Sequence, residues 1–558
     1  MPGGLLNLIA YGNQNVILNG NPSKTMFKFA YAKYTNFGLQ KFRLDFDGLR
    51  TLRMNETSKF DFKIPRYADL LMDTYLVVTL PTIWSPILPP KDCSGHWSPY
   101  EFKWIKNLGT QMIKQVSFSV GGQIIQQFSG QYLYNLVERD FSETKKATYY
   151  NMTGNVPELN DPGNSGARRN VYPSAYYTDN IAGAEPSIRS RKLYIPLNIW
   201  FTLAAKMAFP LVSLQYNELH IEVELRPVND LFLVRDVAGE NAYIQTNQND
   251  TLFQFYRFLQ PPPKPTADGS LIYENKRTNW AADVHLISTY AFLSDDEVKV
   301  FAADQQQYLI KEVYQYEFNN VTGSKRVKLD SLGMVSNWMW FFQRSDVYLR
   351  NGWSNYTNWP YEYLPYDVVD PSGNAYYQYP LVCNGVTSYT PAMDPLGVDG
   401  ITKNASSNIW ITGVYNEANQ KDIMQKWGLL LDGKYREDNF DAGVFNYIEK
   451  YARSSGNSPD GLYCYNFCLQ TNPFDFQPNG GINLSKFNHI EFEFNTYQPP
   501  LDASAQVLTI CDAISGLPVG INKPSWRIYD YNYDLTVLEE RYNILTFTSG
   551  NAGLMYAR

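Results

Sequence analysis

The chain has 558 residues, a net charge of −7 and only 18% charged residues, while Tyr (43) and Phe (31) are abundant. That length exceeds one hydrophobic core and suggests roughly two to four domains. The acidic balance, with no basic tail and only short clusters such as Arg189 through Lys192, disfavours direct binding of nucleic acid.

The five cysteines (Cys93, Cys383, Cys464, Cys468, Cys511) are odd in number and scattered, which fits a reducing cytosol better than a secreted disulfide framework. The N-terminus shows no signal-peptide pattern, and no apolar run reaches the ~18 residues a spanning helix needs.

Residues 1–25 are rich in Gly and Asn, with small apolar groups at Leu5, Leu8, Ile9, Tyr11, Val16 and Leu18, and read as an arm. From Met26 onward a strand texture follows. QVSFSV (115–120) alternates and ends at Gly121-Gly122 before QIIQQF, a hairpin signal. RKLYIPLNIWF (191–201), LHIEVEL (219–225) and HLISTYAF (285–292) read as further strands. Long Gly/Pro/Asn-rich stretches at 151–190, 228–282 and 351–408 read as surface loops with a task.

SDDEVKVFAADQQ (294–306) differs: Ser294 can cap a helix, acids fill its first turn, and Val298, Val300, Phe301 and Ala302 give a short apolar stripe. It reads as a helical connector. Strand texture then returns in YLIKEVYQYEF (308–318), SKRVKLDSL (324–332), NWMWFFQR (337–344), YCYNFCLQ (463–470), HIEFEF (489–494) and YNILTFTSG (542–550).

One strand sentence occurs twice. YNELHIEVEL (216–225) and FNHIEFEF (487–494) share His-Ile-Glu-x-Glu-x, with Ile221, Val223, Leu225 and Ile490, Phe492, Phe494 on one face and His220, Glu222, Glu224 and His489, Glu491, Glu493 on the other. The match is short enough to arise by chance, but a duplicated β domain is the more useful reading, since it predicts two similar sandwiches in one chain. The expected fold is all-β: an arm (1–25), a first jelly-roll sandwich (26–293), a short helical connector (294–306) and a second jelly-roll sandwich (307–558), with long inserted loops.

Few constellations point to chemistry. His-x-Glu-x-Glu puts an imidazole and two carboxylates on one strand face, a conceivable metal site, although the chain has only four histidines and no second one lies nearby. Cys464 and Cys468 sit roughly 13 Å apart if both lie on a strand, too far to share one zinc. GLLLDGKY (428–435) has the Gly-x4-Gly-Lys frame, but Tyr435 stands where a phosphate loop needs Ser or Thr, and the leucines suit a strand entering an Asp432-Gly433 turn. No nucleophile elbow, His-Glu-x-x-His or dinucleotide fingerprint occurs. Seven Asn-x-Ser/Thr sequons include four in long loops, Asn151, Asn249, Asn355 and Asn404, which are the candidate glycosylation sites.

Several segments together resemble one family, the double jelly-roll major capsid proteins of large icosahedral double-stranded DNA viruses, nearest the giant algal and amoebal branch. They are LIAYGNQNVILNGNPSKTMFKFAYAKYTNF (8–37), RYADLLMDTYLVVTLP (66–81), IPLNIWF with FPLVSLQYNELHIEVEL (195–225), YAFLSDDEVKVFA (290–302), MVSNWMWFFQR (334–344), LLLDGKYRED (429–438), YNFCLQTNPFDFQPNGGINLSKFNHIEFEF (465–494) and YNILTFTSGNAGLMYAR (542–558).

The resemblance implies a structural protein of the virion shell without catalysis or cofactors. It implies a homotrimer whose six sandwiches give a pseudo-hexagonal capsomer, tiling icosahedral facets beside neighbouring capsomers. Minor capsid and penton proteins are the further partners implied. The arm residues Leu5, Leu8, Ile9, Tyr11, Val16 and Leu18 would face the minor proteins or an internal membrane, the loops would face outward, and assembly would occur in the host cytoplasm. Two other readings stay open on the residues alone. One is a two-domain carbohydrate-binding β-sandwich, suggested by the aromatic content. The other is a metal-dependent jelly-roll enzyme using the His-x-Glu-x-Glu strands.

Overall fold

A computed structural model of the chain describes residues 3–29, 31–46, 48–88, 98–168, 171–235, 243–245, 251–303, 305–359, 381–383, 386–388, 420–475, 477–499, 508–511, 518–522 and 531–556. Eight strands form the first sandwich: β1 (Gly38–Leu44), β2 (Ser58–Lys63), β3 (Leu70–Leu80), β4 (Ile113–Val120), β5 (Gln123–Ser129), β6 (Arg191–Pro196), β7 (Leu219–Leu225) and β8 (His285–Phe292). Eight more form the second: β9 (Gln306–Phe318), β10 (Ser324–Lys328), β11 (Met334–Arg344), β12 (Met424–Leu431), β13 (Lys434–Asp441), β14 (Leu462–Asn466), β15 (Ile490–Thr496) and β16 (Tyr533–Thr548).

The two sandwiches share one topology. In the first, the sheets run β1-β8-β3-β6 and β2-β7-β4-β5; in the second, β9-β16-β11-β14 and β10-β15-β12-β13. Strand for strand, the order is that of a jelly roll, made twice. The echoed motif occupies β7 and β15, the second strand of the second sheet in each sandwich. Ile221, Val223, Leu225, Ile490, Phe492 and Phe494 are all buried, as the alternation predicts.

Both hairpins that join the fourth and fifth strands are tight two-residue turns. Gly121 and Gly122 have φ of 56° and 82°, and Asp432 and Gly433 have φ of 49° and 77°. Two successive positive φ values mark a type I′ turn, whose twist matches the flanking strands. The Asp432 carboxylate also accepts the backbone N–H groups of Asn488 (2.9 Å) and His489 (2.8 Å), which offsets the cost of a non-glycine there. The phosphate-loop frame is therefore a strand, a turn and a strand.

The second core is aromatic. Trp340 stacks on Trp427 at 4.6 Å, and Phe492 meets Trp427 and Trp338 edge-on at 4.9 and 5.1 Å. Each such pair adds about 0.5–1.5 kcal/mol beyond the area it buries.

Three sequence expectations change. Helix α1 (Gly130–Asp140) follows β5 directly and α2 (Glu143–Thr153) follows α1, where only strands and loops were expected. Ser129 Oγ caps α1 through the Tyr132 N–H. Second, the run 191–201 is not one strand: β6 ends at Pro196, and Asn198 has a positive φ of 47° before a short 3-10 turn. Third, the connector is helical as read (α3, Asp295–Ala303), but its apolar stripe does not form a core face, since Val300 is 56% exposed and no residue of α3 is buried. The stretch 351–408 lies mostly outside the described residues.

Candidate functional site, the seam between the sandwiches

The sheet β9-β16-β11-β14 is buried on both faces. Its inner face carries Trp338, Trp340, Val537 and Tyr463, in the second core. Its outer face carries Met339, Phe341, Leu538, Leu462 and Cys464, which join the core cluster of the first sandwich. This is why β11 reads as an almost unbroken apolar run instead of alternating.

What covers that outer face is the β5 edge and α1. Gln126 Nε2 donates to Lys311 O at 2.9 Å, and Ser129 Oγ donates to Gln315 Oε1 at 2.8 Å, so the β5 edge lies along β9. All eleven residues of α1 are buried, including Glu138, Arg139 and Asp140.

A charged cluster closes the seam. Arg139 Nη2 donates to Asp140 Oδ2 (2.7 Å) and Glu540 Oε1 (2.9 Å), and Arg139 Nη1 donates to Asn337 Oδ1 (2.8 Å). Tyr132 OH donates to Glu540 Oε1 at 3.1 Å, Thr471 Oγ1 donates to Asp140 Oδ1 at 2.5 Å, and Lys311 Nζ lies 3.6 Å from Glu540 Oε2. Burial pushes the Glu540 carboxyl up, but Arg139 and Lys311 more than reverse this and hold it at about 2. For Asp140 burial wins over Arg139 and the shift is upward. Glu540 is thus surrounded by two cations and the Asn337 amide, which donates to its Oε2 at 2.9 Å. Replacing a buried cluster of this kind by apolar side chains is often neutral, whereas removing one partner alone is costly.

Sequence reasoning missed this cluster. Its signal is Glu539-Glu540-Arg541, three successive charges inside a strand, which cannot all face water. Glu540 points into the seam. Glu539 faces the other side, where it accepts the Trp338 indole N–H at 2.7 Å and pairs with Arg541.

The residues singled out from sequence fall elsewhere. His220 Nδ1 lies 3.0 Å from Asp61, Glu224 takes Lys114 at 3.0 Å, and Glu493 takes Arg326 at 2.6 Å. The His220–Asp61 and Arg326–Glu493 contacts are exposed and cross-strand, the kind worth about 0–1 kcal/mol each, whereas the Glu224 carboxylate is buried and meets Lys114 at its rim. Among the described residues no three His, Cys, Asp or Glu side chains gather as metal ligands. Cys464 and Cys468 are buried free thiols, and burial raises the Cys464 pKa to about 11.

Asn151 is exposed on α2, while Asn355 is half-buried with its Nδ2 donating to Trp359 O at 2.8 Å. Asn249 and Asn404 lie outside the described residues. The arm residues Leu5, Leu8, Ile9, Tyr11, Val16 and Leu18 are all exposed, and neither arm helix (Gly3–Ile9, Val16–Asn19) buries a residue.

Two sandwiches of one topology, locked edge to face by a dedicated seam, define a double jelly-roll structural protein. Two family profiles match it in series: "Major capsid protein N-terminus" over residues 25–259 and "Large eukaryotic DNA virus major capsid protein" over residues 297–553. The chain belongs to the major capsid protein family of large eukaryotic DNA viruses, proteins of the virion capsid. It is 25% identical to the major capsid protein of Phaeocystis pouchetii virus over 598 aligned residues, covering 100% of both chains. Its fold is that of the PBCV-1 virus capsid protein (TM-score 0.57, 18% identity, 96% of this chain and 100% of that one). It is also that of the Faustovirus major capsid protein (TM-score 0.59, 12% identity, 94% and 93%).

Proposed function

We propose that the chain forms homotrimeric capsomers that tile the facets of an icosahedral virion. The observation that carries this is the duplicated strand order with a fixed seam. Two like sandwiches per chain, taken three times, present six similar sides, so copies of one trimer can pack in a flat hexagonal net. Closed threefold symmetry needs a contact between different faces of neighbouring chains, and a chain with two sandwiches has different faces to offer.

In this reading the arm, with Leu5, Leu8, Ile9, Tyr11, Val16 and Leu18 exposed, meets minor capsid and penton proteins or the internal membrane side once the particle assembles in the host cytoplasm. The candidate glycosylation sites are Asn151, Asn249, Asn355 and Asn404. Of these, Asn151 and Asn355 lie in described residues, and Asn151 is the better acceptor because it is exposed whereas Asn355 is half-buried.

Sedimentation velocity and negative-stain microscopy test the central claim. A trimer with a hexagonal outline is expected, and a monomer at every concentration would refute it. Deleting residues 1–25 should leave the trimer intact and lower incorporation into particles; dissociation of the truncated protein would refute the role given to the arm.

A further inference from the structure

One end of the first sandwich carries an open hollow of about 480 Å³. Three stretches wall it: the chain at the end of β3 (79–84), Ser190 just before β6, and residues drawn from 259–281 ahead of β8. Its volume falls within the roughly 300–1,000 Å³ of small-molecule sites. By contrast, the hollow at the seam beside Trp200 and Lys311 holds about 50 Å³, room for a few waters. We propose that the larger hollow binds a saccharide, seating one sugar unit that carries a carboxylate or a sulfate. This role is additional to that of a shell protein and does not depend on the trimer.

Three observations carry this. First, two indoles border the hollow with their polar edges already tied. Trp84 Nε1 donates to Ala184 O at 3.1 Å, and Trp280 Nε1 donates to Thr79 O at 2.8 Å. Both side chains are half-buried, so what they offer a ligand is ring surface. An aromatic face is electronegative, and the weakly positive C–H bonds on one side of a sugar ring suit it.

Second, donors and acceptors are mixed around the hollow. Gln260 Nε2 donates to Tyr256 O (3.0 Å) and Asn275 O (2.6 Å), which fixes the amide and leaves Oε1 to accept. Asn275 Oδ1 accepts the Arg277 backbone N–H at 3.1 Å, which leaves Nδ2 to donate. Thr79 Oγ1 is buried without a hydrogen-bond partner, and Thr82 and Asn279 add a hydroxyl and an amide. A sugar hydroxyl both donates and accepts, so neighbouring hydroxyls need such a mixture. Side chains fixed beforehand spare the ligand the entropy of ordering them.

Third, the charge has one sign. Among the described residues that line the hollow, Arg277 is the one charged side chain, and no Asp or Glu joins it. Its sequence neighbours Glu274 and Lys276 lie outside the lining and offset each other. A guanidinium fork takes two oxygens of one anionic group through parallel N–H bonds. The same lining excludes a lipid tail, against which these amides and hydroxyls would lose water and gain no partner.

The test uses the full chain in the assembly it forms. Isothermal titration calorimetry with a galacturonate disaccharide, a sulfated galactose disaccharide and lactose is expected to give Kd near about 1 mM for an acidic sugar and at least about tenfold weaker binding of lactose. Binding of one acidic sugar and not the other identifies the anion as carboxylate or sulfate and supports the site. Arg277→Ala should bring the acidic sugars level with lactose, and Asn279→Ala should weaken all three. Both side chains are exposed, so the two variants should keep the wild-type near-ultraviolet circular dichroism. The inference is overturned by no heat with any sugar at roughly 10 mM, by lactose binding as tightly as the acidic sugars, or by variants that bind as the wild type does.

Discussion

The helices that follow β5 and β13 occupy the same place in two copies of one fold, yet they meet opposite fates. Every residue of α1 is buried, down to the Arg139 guanidinium, while the segment after β13, a π-turn at Val444–Ile448 running into an α-helix at Glu449–Arg453 (together α4), buries only Phe445, Asn446 and Lys450. Their buried cations differ in the same way. Arg139 is held by two carboxylates and an amide. Lys450 donates to Asn446 Oδ1 at 2.9 Å and to Pro459 O at 3.4 Å. The lesson is that position in the fold sets the path of the chain, but the neighbour sets its chemistry. A helix pressed between two sandwiches needs countercharges for whatever it buries, and a helix at an outer edge can leave its side chains in water.

The sharpest way to break the comparison is to remove one of the two cores. Val223 and Phe492 hold the same place in the echoed strand, and Phe492 is packed among Trp338, Trp340 and Trp427. Phe492→Asp should prevent the second sandwich from folding, since an unpaired charge would enter an aromatic core. The check is near-ultraviolet circular dichroism and soluble yield, and a folded variant of unchanged melting temperature would overturn the register.

The next effect in size lies at the seam. Arg139→Ala leaves Glu540 and Asp140 buried without their shared cation, and should destabilise the chain by about 3–5 kcal/mol at neutral pH. Urea unfolding measures it. A loss below about 1 kcal/mol, the scale of an ordinary surface change, would mean that the cluster is not a closed seam.

The smallest effect sharpens the contrast between the two cations. Burial pushes the Lys450 ammonium down to about 8 from its ordinary 10.5. Between those values the folded chain binds fewer protons than the unfolded one, so its stability rises as pH increases from about 8 to 10.5. Measured against Lys450→Met, which lacks the group, wild-type stability should climb by on the order of 1–3 kcal/mol across that window. A difference that stays flat would show that the ammonium is hydrated in the fold.

Much of this was legible before any coordinates, because strand alternation and turn chemistry are local. The faces of Ile221-Val223-Leu225 and Ile490-Phe492-Phe494 follow from a period of two, and the Gly121-Gly122 turn from the need for positive φ. The echoed motif placed one strand correctly in each sandwich. The helix α1 was not legible. GQYLYNLVERD carries charges where a buried helix should not, and only the partners Glu540 and Asn337, 401 and 198 residues away, make it a core element.

The amino-acid order alone determined the two β-rich halves, the helical link between them, and which side of each repeated strand turns inward. These depend on neighbours a few residues apart. Tertiary structure alone decided which sheet is covered twice, which charges share a buried seam, and which helix face is left open. Each of these depends on what abuts a surface from far along the chain, and loop closure over such distances leaves no periodic trace in the sequence.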